Sequence, residues 1–215
     1  MAPELLANAA RLGLPVYEGY GLSECGSVVC VNTATAQRRG SVGRPLPHVR
    51  VRLDGQQQIL VSGALMSGYL GDALTTDSPA TEVATGDLGE IDADGFVYVR
   101  GRLKNLIITS LGRNISPEWV ERELQTEAAI GMAVVCGEAR PYLGALISPA
   151  GAAGSEQIAA AVARVNARLP DYAQLRQWAV VDTPFTFANG LLTANGRPRR
   201  AHILALHAET LESLY

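Results

Sequence analysis

Hydrophobic and polar positions change their period twice along this chain, and each of the three patterns predicts a different kind of structure. Residues 3–12 put Leu5, Leu6, Ala9 and Leu12 on one helical stripe, with Pro3 suited to a first helical position and Gly13 able to close the helix in a left-handed conformation. Pro15-Val-Tyr17 then predicts a strand entering a turn at Gly19 and Gly21, and residues 27–31 predict a second, buried strand. A helix and two strands leave a sheet without enough partners, so this opening reads as the tail of a larger α/β unit.

From Gly40 to about Arg100 the period is two. Val49, Val51 and Leu53 alternate with Arg50 and Arg52, Asp54-Gly55 supplies a hairpin turn, and a further strand covers residues 58–62. Residues 89–92 and 96–100 flank Asp94-Gly95, a second hairpin signal. The prediction is a small distorted β-barrel or sandwich.

After Gly101-Arg102 the pattern changes again. A short strand at 106–108, a turn at 112–114 and Ser116 as N-cap lead into a helix over about 117–126. Strands at 131–136 and 142–148 follow, then a joint at 150–155, a helix at 156–168, a strand at 178–181 and a final helix at 199–214. The expected fold class is α+β. The tail of an α/β sheet unit (1–39) and a small distorted β-barrel (40–101) precede a compact α+β domain (102–215) of about three strands with helices on one side.

Composition narrows the function classes. Eighteen Lys and Arg against twenty-one Asp and Glu give a net charge of -3, with neither an overall basic field for nucleic acid nor a polybasic run for an anionic membrane. The one basic cluster is Arg197, Arg199, Arg200 and His202. Cys25, Cys30 and Cys136 form no C-x-x-C pair, which argues against zinc and a disulfide framework and for buried free thiols in a reducing cytosol. No apolar run reaches the roughly 18 residues of a spanning helix. A cytoplasmic protein, at most peripheral to membranes, is expected. His48, His202 and His207 have no partner at metal or triad spacing, and Ser23 has no neighbouring His, so a serine hydrolase is excluded.

Four motifs remain, and their order carries the chemistry: Tyr20-Gly-Leu-Ser-Glu24, Thr85-Gly-Asp87, Gly101-Arg-Leu-Lys104 and Leu191-Leu-Thr-Ala-Asn-Gly-Arg-Pro-Arg-Arg200. Read singly, the first is a strand-ending turn, Asp87 a turn residue before a hairpin and Lys104 a solvated linker lysine. In this order they resemble the second half of the adenylate-forming enzymes, the superfamily of acyl-CoA synthetases, peptide-synthetase adenylation domains and luciferases. The stretch Phe185–Thr193 is most similar to the long-chain fatty acyl-CoA synthetase branch.

The resemblance implies ATP or AMP and Mg²⁺ as nucleotide and metal, CoA as a substrate, and a small carboxylic acid as the group activated. It implies that Tyr20 stacks on adenine, Ser23 contacts the α-phosphate and Glu24 holds Mg²⁺. Asp87 would anchor the ribose diol, with Arg102 as a second ribose or phosphate contact. Lys104 falls at the hinge about which a mobile C-terminal domain rotates, and Gly112, in Ser110-Leu-Gly-Arg-Asn-Ile-Ser-Pro117, belongs to the loop that lets the pantetheine thiol pass. The family's catalytic lysine is replaced by Arg197. Its phosphate loop should lie upstream of Tyr20, so this chain alone is expected to be inactive. An acyl-AMP ligase that loads a carrier protein, or a non-catalytic remnant acting as an interaction module, are the alternatives.

Overall fold

In the computed structural model, which describes residues 3–68 and 81–215, the chain divides into two compact units, Met1–Lys104 and Asn105–Tyr215. The first opens with α1 (Pro3–Arg11). Among its described residues the strands form two sheets. One is three-stranded, with β1 (Gly19–Tyr20), β2 (Cys30–Val31) and β3 (Arg44–Pro45) in chain order. The other is a four-stranded antiparallel meander of β4 (Val49–Leu53), β5 (Gln58–Gly63), β6 (Val83–Ile91) and β7 (Val97–Arg102).

The period-two reading of this region holds, because Val49, Ile59, Val61 and Val97 turn into one core with Cys25, Val29 and Cys30. The two sheets are stitched together where Val42 donates to Val97 O at 2.8 Å and Val97 N–H donates to Gly43 O at 2.9 Å. Gly43 is required there. Its φ is +90°, and an added Cβ would lie 1.9 Å from the Val31 carbonyl carbon.

Several elements depart from expectation. Pro15–Tyr17 is not a strand; pairing begins at Gly19, opposite Val31, and Val16 and Tyr17 stay partly exposed. Residues 27–31 yield only Cys30–Val31, since Ser27 sits at φ +82° and Val28 points outward. The helical stripe of α1 leaves Leu12 75% exposed. Strand β6 starts six residues earlier than expected and runs through Thr85-Gly-Asp87, because a bulge between Gln58 and Leu60 absorbs that motif within the ladder.

The second unit holds a hairpin of β8 (Ile107–Ile108) and β9 (Asn114–Ile115), so Asn114 is paired strand and not turn. Then come α2 (Pro117–Leu124), β10 (Ile130–Cys136), β11 (Leu143–Pro149), α3 (Ser155–Asn166), β12 (Leu175–Val180), α4 (Arg200–Leu206) and α5 (Ala208–Glu212). The sheet order is β10-β11-β12, antiparallel then parallel.

Helices do not lie on one side only. Val120, Leu124, Ile158 and Val162 of α2 and α3 pack with Ala133, Val135, Ala145 and Ile147 on one face, while Ile203 of α4 packs with Val134 and Leu146 on the other. This explains why Leu143–Ser148 is buried throughout. The expected final helix is broken at His207, where φ -107° and ψ 26° end α4 before α5 begins. Ser116 stands at the N-cap of α2, but its hydroxyl donates to Glu118 Oε2 at 3.0 Å and caps no helical N–H.

One edge of this sheet is closed by side chains. Val135, on the edge strand β10, donates its N–H to Glu121 Oε1 at 2.7 Å and accepts from Arg200 Nη1 at 2.7 Å, and Arg200 Nη2 pairs with the same Glu121 carboxylate. An ion pair thus stands where a neighbouring strand would be. Burial pushes the Glu121 carboxyl up, against the opposing pull of Arg200 and the Val135 N–H.

Among the described residues four turns, two in each unit, share one five-residue design. The first residue donates its N–H to the fifth residue's carbonyl, its own carbonyl accepts from the fourth N–H, and its side chain accepts from the fifth N–H. Those side-chain bonds are Gln58 to Asp54 Oδ1 (2.9 Å), Phe96 to Asp92 Oδ1 (3.0 Å), Arg113 to Thr109 Oγ1 (3.2 Å) and Arg197 to Thr193 Oγ1 (3.1 Å). The fourth residue is left-handed each time: Gln57 (φ +64°), Gly95 (+81°), Gly112 (+71°) and Gly196 (+72°). The special residue of the first hairpin is therefore Gln57, not Gly55.

A left-handed non-glycine costs roughly 1–2 kcal/mol, offset in part by glycine's greater freedom when unfolded. Gln57→Gly should therefore raise stability by up to about 1 kcal/mol in urea unfolding, with an unchanged m value. In the second hairpin, burial acts to raise the Asp92 carboxyl, but bonds from Phe96 N–H, Arg38, Tyr98 and Asp94 N–H prevail and hold it at about 2. This lowered value means its contribution is fully present above about pH 4 and is lost as pH falls towards 2. The stability gap between the natural protein and Asp92→Asn should narrow over that window; a gap equally wide at pH 5 and pH 2 contradicts it.

Candidate active site

The turn at Asp92 sets the β6–β7 register as far as Gly89 opposite Val99, and a bulge between Leu88 and Gly89 shifts it by one residue, which brings Asp87 opposite Arg102. Arg102 Nε donates to Asp87 Oδ1 at 2.6 Å and Nη2 reaches Oδ2 at 3.5 Å. Tyr20 arrives from β1, sixty-seven residues away in sequence, and its hydroxyl donates to Asp87 Oδ2 at 2.7 Å. Asp87 itself is 7% exposed. Its backbone N–H donates to Thr85 Oγ1 at 3.1 Å while that hydroxyl donates to Ile59 O at 2.9 Å, which pins the bulged segment to β5.

The electrostatics are consistent with this arrangement. Burial raises the Tyr20 phenol well above its ordinary value, with the Asp87 bond and charge adding to the rise and Thr85 and Arg102 opposing it. The phenol therefore stays protonated and remains a donor. Arg102 is held protonated chiefly by its bond to Asp87.

A carboxylate has about four acceptor positions. Arg102 Nε takes one on Oδ1 and Tyr20 takes one on Oδ2, whose other position holds only the long 3.5 Å contact from Arg102 Nη2, so a vicinal diol that displaces this contact meets one acceptor on each oxygen. The residues present fit a ribose. Ser23 and Glu24 lie in the 3₁₀ turn Ser23–Cys25 directly after β1, with Ser23 exposed and Glu24 half-buried. Glu24 is close enough for its charge to act on Arg102. Among the described residues no group of three or more His, Cys, Asp or Glu is placed to hold a metal. One carboxylate suits Mg²⁺ when phosphate oxygens and water complete the shell. Lys104 is exposed in the 3₁₀ turn Leu103–Asn105 at the end of this unit.

The other two candidates belong to the second unit. Gly112 is the left-handed fourth residue of the Thr109 turn, with nothing within 4 Å of an added Cβ. The guanidinium of the adjacent Arg113 lies 5.6 Å from the centre of the Tyr172 ring. Arg197 is the fifth residue of the Thr193 turn, exposed, with its backbone fixed by Thr193.

Three participants escaped the sequence reading. Thr85 was legible only as part of a turn. Arg200 stood out as charge but not as an anchor. Glu121 carried a usable signal: residues 117, 120, 121 and 124 form the buried face of α2, and a glutamate on that face needs a partner. The thiols are free, with Cys25 and Cys30 buried and Cys136 half-buried; burial pushes Cys30 up to about 12.

Residues 104–215 match the family described as AMP-binding enzyme C-terminal domain, and residues 1–70 match the one described as AMP-binding enzyme. The chain belongs to the AMP-binding enzyme family. A long-chain-fatty-acid–CoA ligase of Mycobacterium bovis is 32% identical over 94% of this chain and 38% of its own length. A long-chain-fatty-acid–[acyl-carrier-protein] ligase of Arabidopsis thaliana is 28% identical over 95% of this chain and 33% of its own. Among solved structures, o-succinylbenzoate coenzyme A synthetase from Bacillus subtilis with AMP is 26% identical, at a TM-score of 0.74 over 92% of this chain and 42% of that one. The chain thus spans well under half the length of these relatives. Among the described residues no helix is long and apolar enough to cross a membrane.

Tyr20→Phe keeps the ring and removes one donor from a buried carboxylate. It should cost about 1–2 kcal/mol in denaturant unfolding, since hydrogen bonds to charged groups contribute roughly 1.5–3 kcal/mol. An unaltered midpoint would show the phenol to be dispensable for holding Asp87.

Proposed function

We propose that this chain is the C-terminal segment of an ATP-dependent acid–thiol ligase, which forms an acyl-adenylate and then acyl-CoA from a fatty or related carboxylic acid. The observation that carries the reading is the Asp87 carboxylate, held by Tyr20 and Arg102, with one acceptor position open on Oδ1 and a second on Oδ2 occupied only by the long Arg102 Nη2 contact. Adenylation joins a carboxylate oxygen to the α-phosphorus of ATP and expels pyrophosphate. It calls for a ribose anchor, a hydroxyl on the α-phosphate, a metal carboxylate and a cation for the developing charge.

Each part has a candidate. Asp87 accepts both ribose hydroxyls while the Tyr20 ring stacks on adenine and its hydroxyl keeps Asp87 in place. Arg102 adds a ribose or phosphate contact, and Ser23 meets the α-phosphate. Glu24 holds Mg²⁺, which when bound neutralises phosphate charge. Arg197 supplies the cation in the first half-reaction. Lys104 is the hinge about which the second unit turns, as a mobile domain, to bring the Gly112 loop forward for thiol attack on the acyl carbonyl with release of AMP. The Arabidopsis relative gives a second reading its support, in which the thiol belongs to a carrier protein.

The test is carboxylate-dependent ATP–pyrophosphate exchange by the complete enzyme, followed by thioester formation. Arg197→Ala should lower acyl-adenylate formation about 10²–10³-fold, the usual cost of one preorganised charge contact. Thioester formation from supplied acyl-adenylate should be nearly unchanged, and Arg197→Lys should keep or improve the first rate. Silence at Arg197 together with a severe loss in Arg199→Ala would move the cation by two residues. Silence at both would favour a non-catalytic module.

A further inference from the structure

The buried charge of the second unit has no part in that chemistry, yet it stands at the neck of the loop that carries Arg197. Arg200 follows the Thr193 turn by three residues and opens α4. Its guanidinium is mostly buried, paired with a Glu121 side chain that is only 10% exposed and bonded to Val135 O on the open edge of β10. The incoming leg of the same loop is held by Leu191, buried at 3% exposure, with the Arg199 N–H donating to its carbonyl at 2.8 Å and a bridge between Leu192 and Pro198. Both legs are fixed to the unit while Ala194–Arg197 stand exposed. By contrast the Arg199 side chain is exposed and has no such anchor among the described residues.

A cation that works on a phosphate must be aimed, and a displacement of about 1 Å can cost on the order of 10²-fold in rate. We propose that Arg200, locked to Glu121 and to the edge of β10, is a positioning residue for Arg197, fixing the outgoing leg of the loop so that the Arg197 guanidinium is delivered to one place. The proposal rests on the reading of Arg197 as the adenylation cation. Arg200 itself touches no substrate.

Arg200→Ala would leave Glu121 buried and unpaired, a change that unfolds many proteins, so the test uses Arg200→Lys and Glu121→Gln. A lysine keeps the charge, but its single ammonium cannot grip Glu121 and Val135 O in one planar fork. On this chain, amide hydrogen exchange at Arg197 and Arg199 should quicken at least about fivefold in Arg200→Lys while Ala145 and Ile147 in β11 keep their protection. Glu121→Gln, which retains an acceptor for Val135, should act in the same direction but less. In the complete enzyme, Arg200→Lys should slow acyl-adenylate formation about tenfold or more and leave thioester formation from supplied acyl-adenylate within about twofold. Unchanged exchange at the turn overturns the proposal, as does an equal loss in both half-reactions, the mark of a purely structural pair. If the natural enzyme forms no acyl-adenylate, the functional reading fails by itself, and exchange alone decides whether Arg200 holds the loop.

Discussion

The five-residue turn with a left-handed fourth position is the constraint on which the rest depends. Its side-chain acceptor, Asp or Thr, satisfies the fifth N–H inside the turn, so each loop is closed by its own residues. A closed turn fixes register, and in a strand pair register decides which side chains face each other. The turn at Asp92, together with the bulge between Leu88 and Gly89, sets Arg102 opposite Asp87. The turns at Thr109 and Thr193 present Gly112 and Arg197 at chosen points of the second unit.

Among the described residues each unit carries one buried carboxylate, and the two are handled differently. Asp87 receives a phenol and a guanidinium that is still 47% exposed, and it keeps acceptor capacity in reserve. Glu121 receives a mostly buried guanidinium and a backbone N–H that itself belongs to a sheet edge. The first arrangement leaves a group able to bind; the second consumes its capacity in structure. Neither carboxylate could stand without its partners, because desolvation alone outweighs what either would contribute.

Much of this was legible in the sequence because local signals and tertiary structure agree. The alternation at 49–53 and the hairpin signal Asp94-Gly95 state their strands and turn directly. The motif residues Tyr20, Asp87 and Arg102 converge as their order implied. What was not legible depends on partners distant in sequence. Nothing local says that Pro15–Tyr17 will stay unpaired until Gly19 meets Val31, or that β11 is covered on both faces. The turn after Asp54 is announced by Asp54-Gly55, but its left-handed position falls on Gln57, which lacks the glycine that marks the other three. The Tyr20 hydroxyl, read from sequence as part of a stacking ring, turns out to spend its donor on Asp87.

On the proposed reading of Arg197 as the adenylation cation, the arginine at that position acquires a physical reason. A lysine ammonium on a flexible stem can find an oxyanion by rotating its own bonds, so the backbone beneath it need not be aimed with care. A guanidinium is a planar fork whose donors point in fixed directions, and it gains from charge only when the plane is presented correctly. A chain that carries arginine there shifts the burden of orientation from side chain to loop. On the same proposal, the Thr193 turn, the buried Leu191 leg and the Arg200–Glu121 clamp carry that burden. The same reasoning separates the three arginines of the cluster: Arg197 is exposed on a fixed turn, Arg199 is exposed without an anchor among the described residues, and Arg200 is spent on the anchor itself.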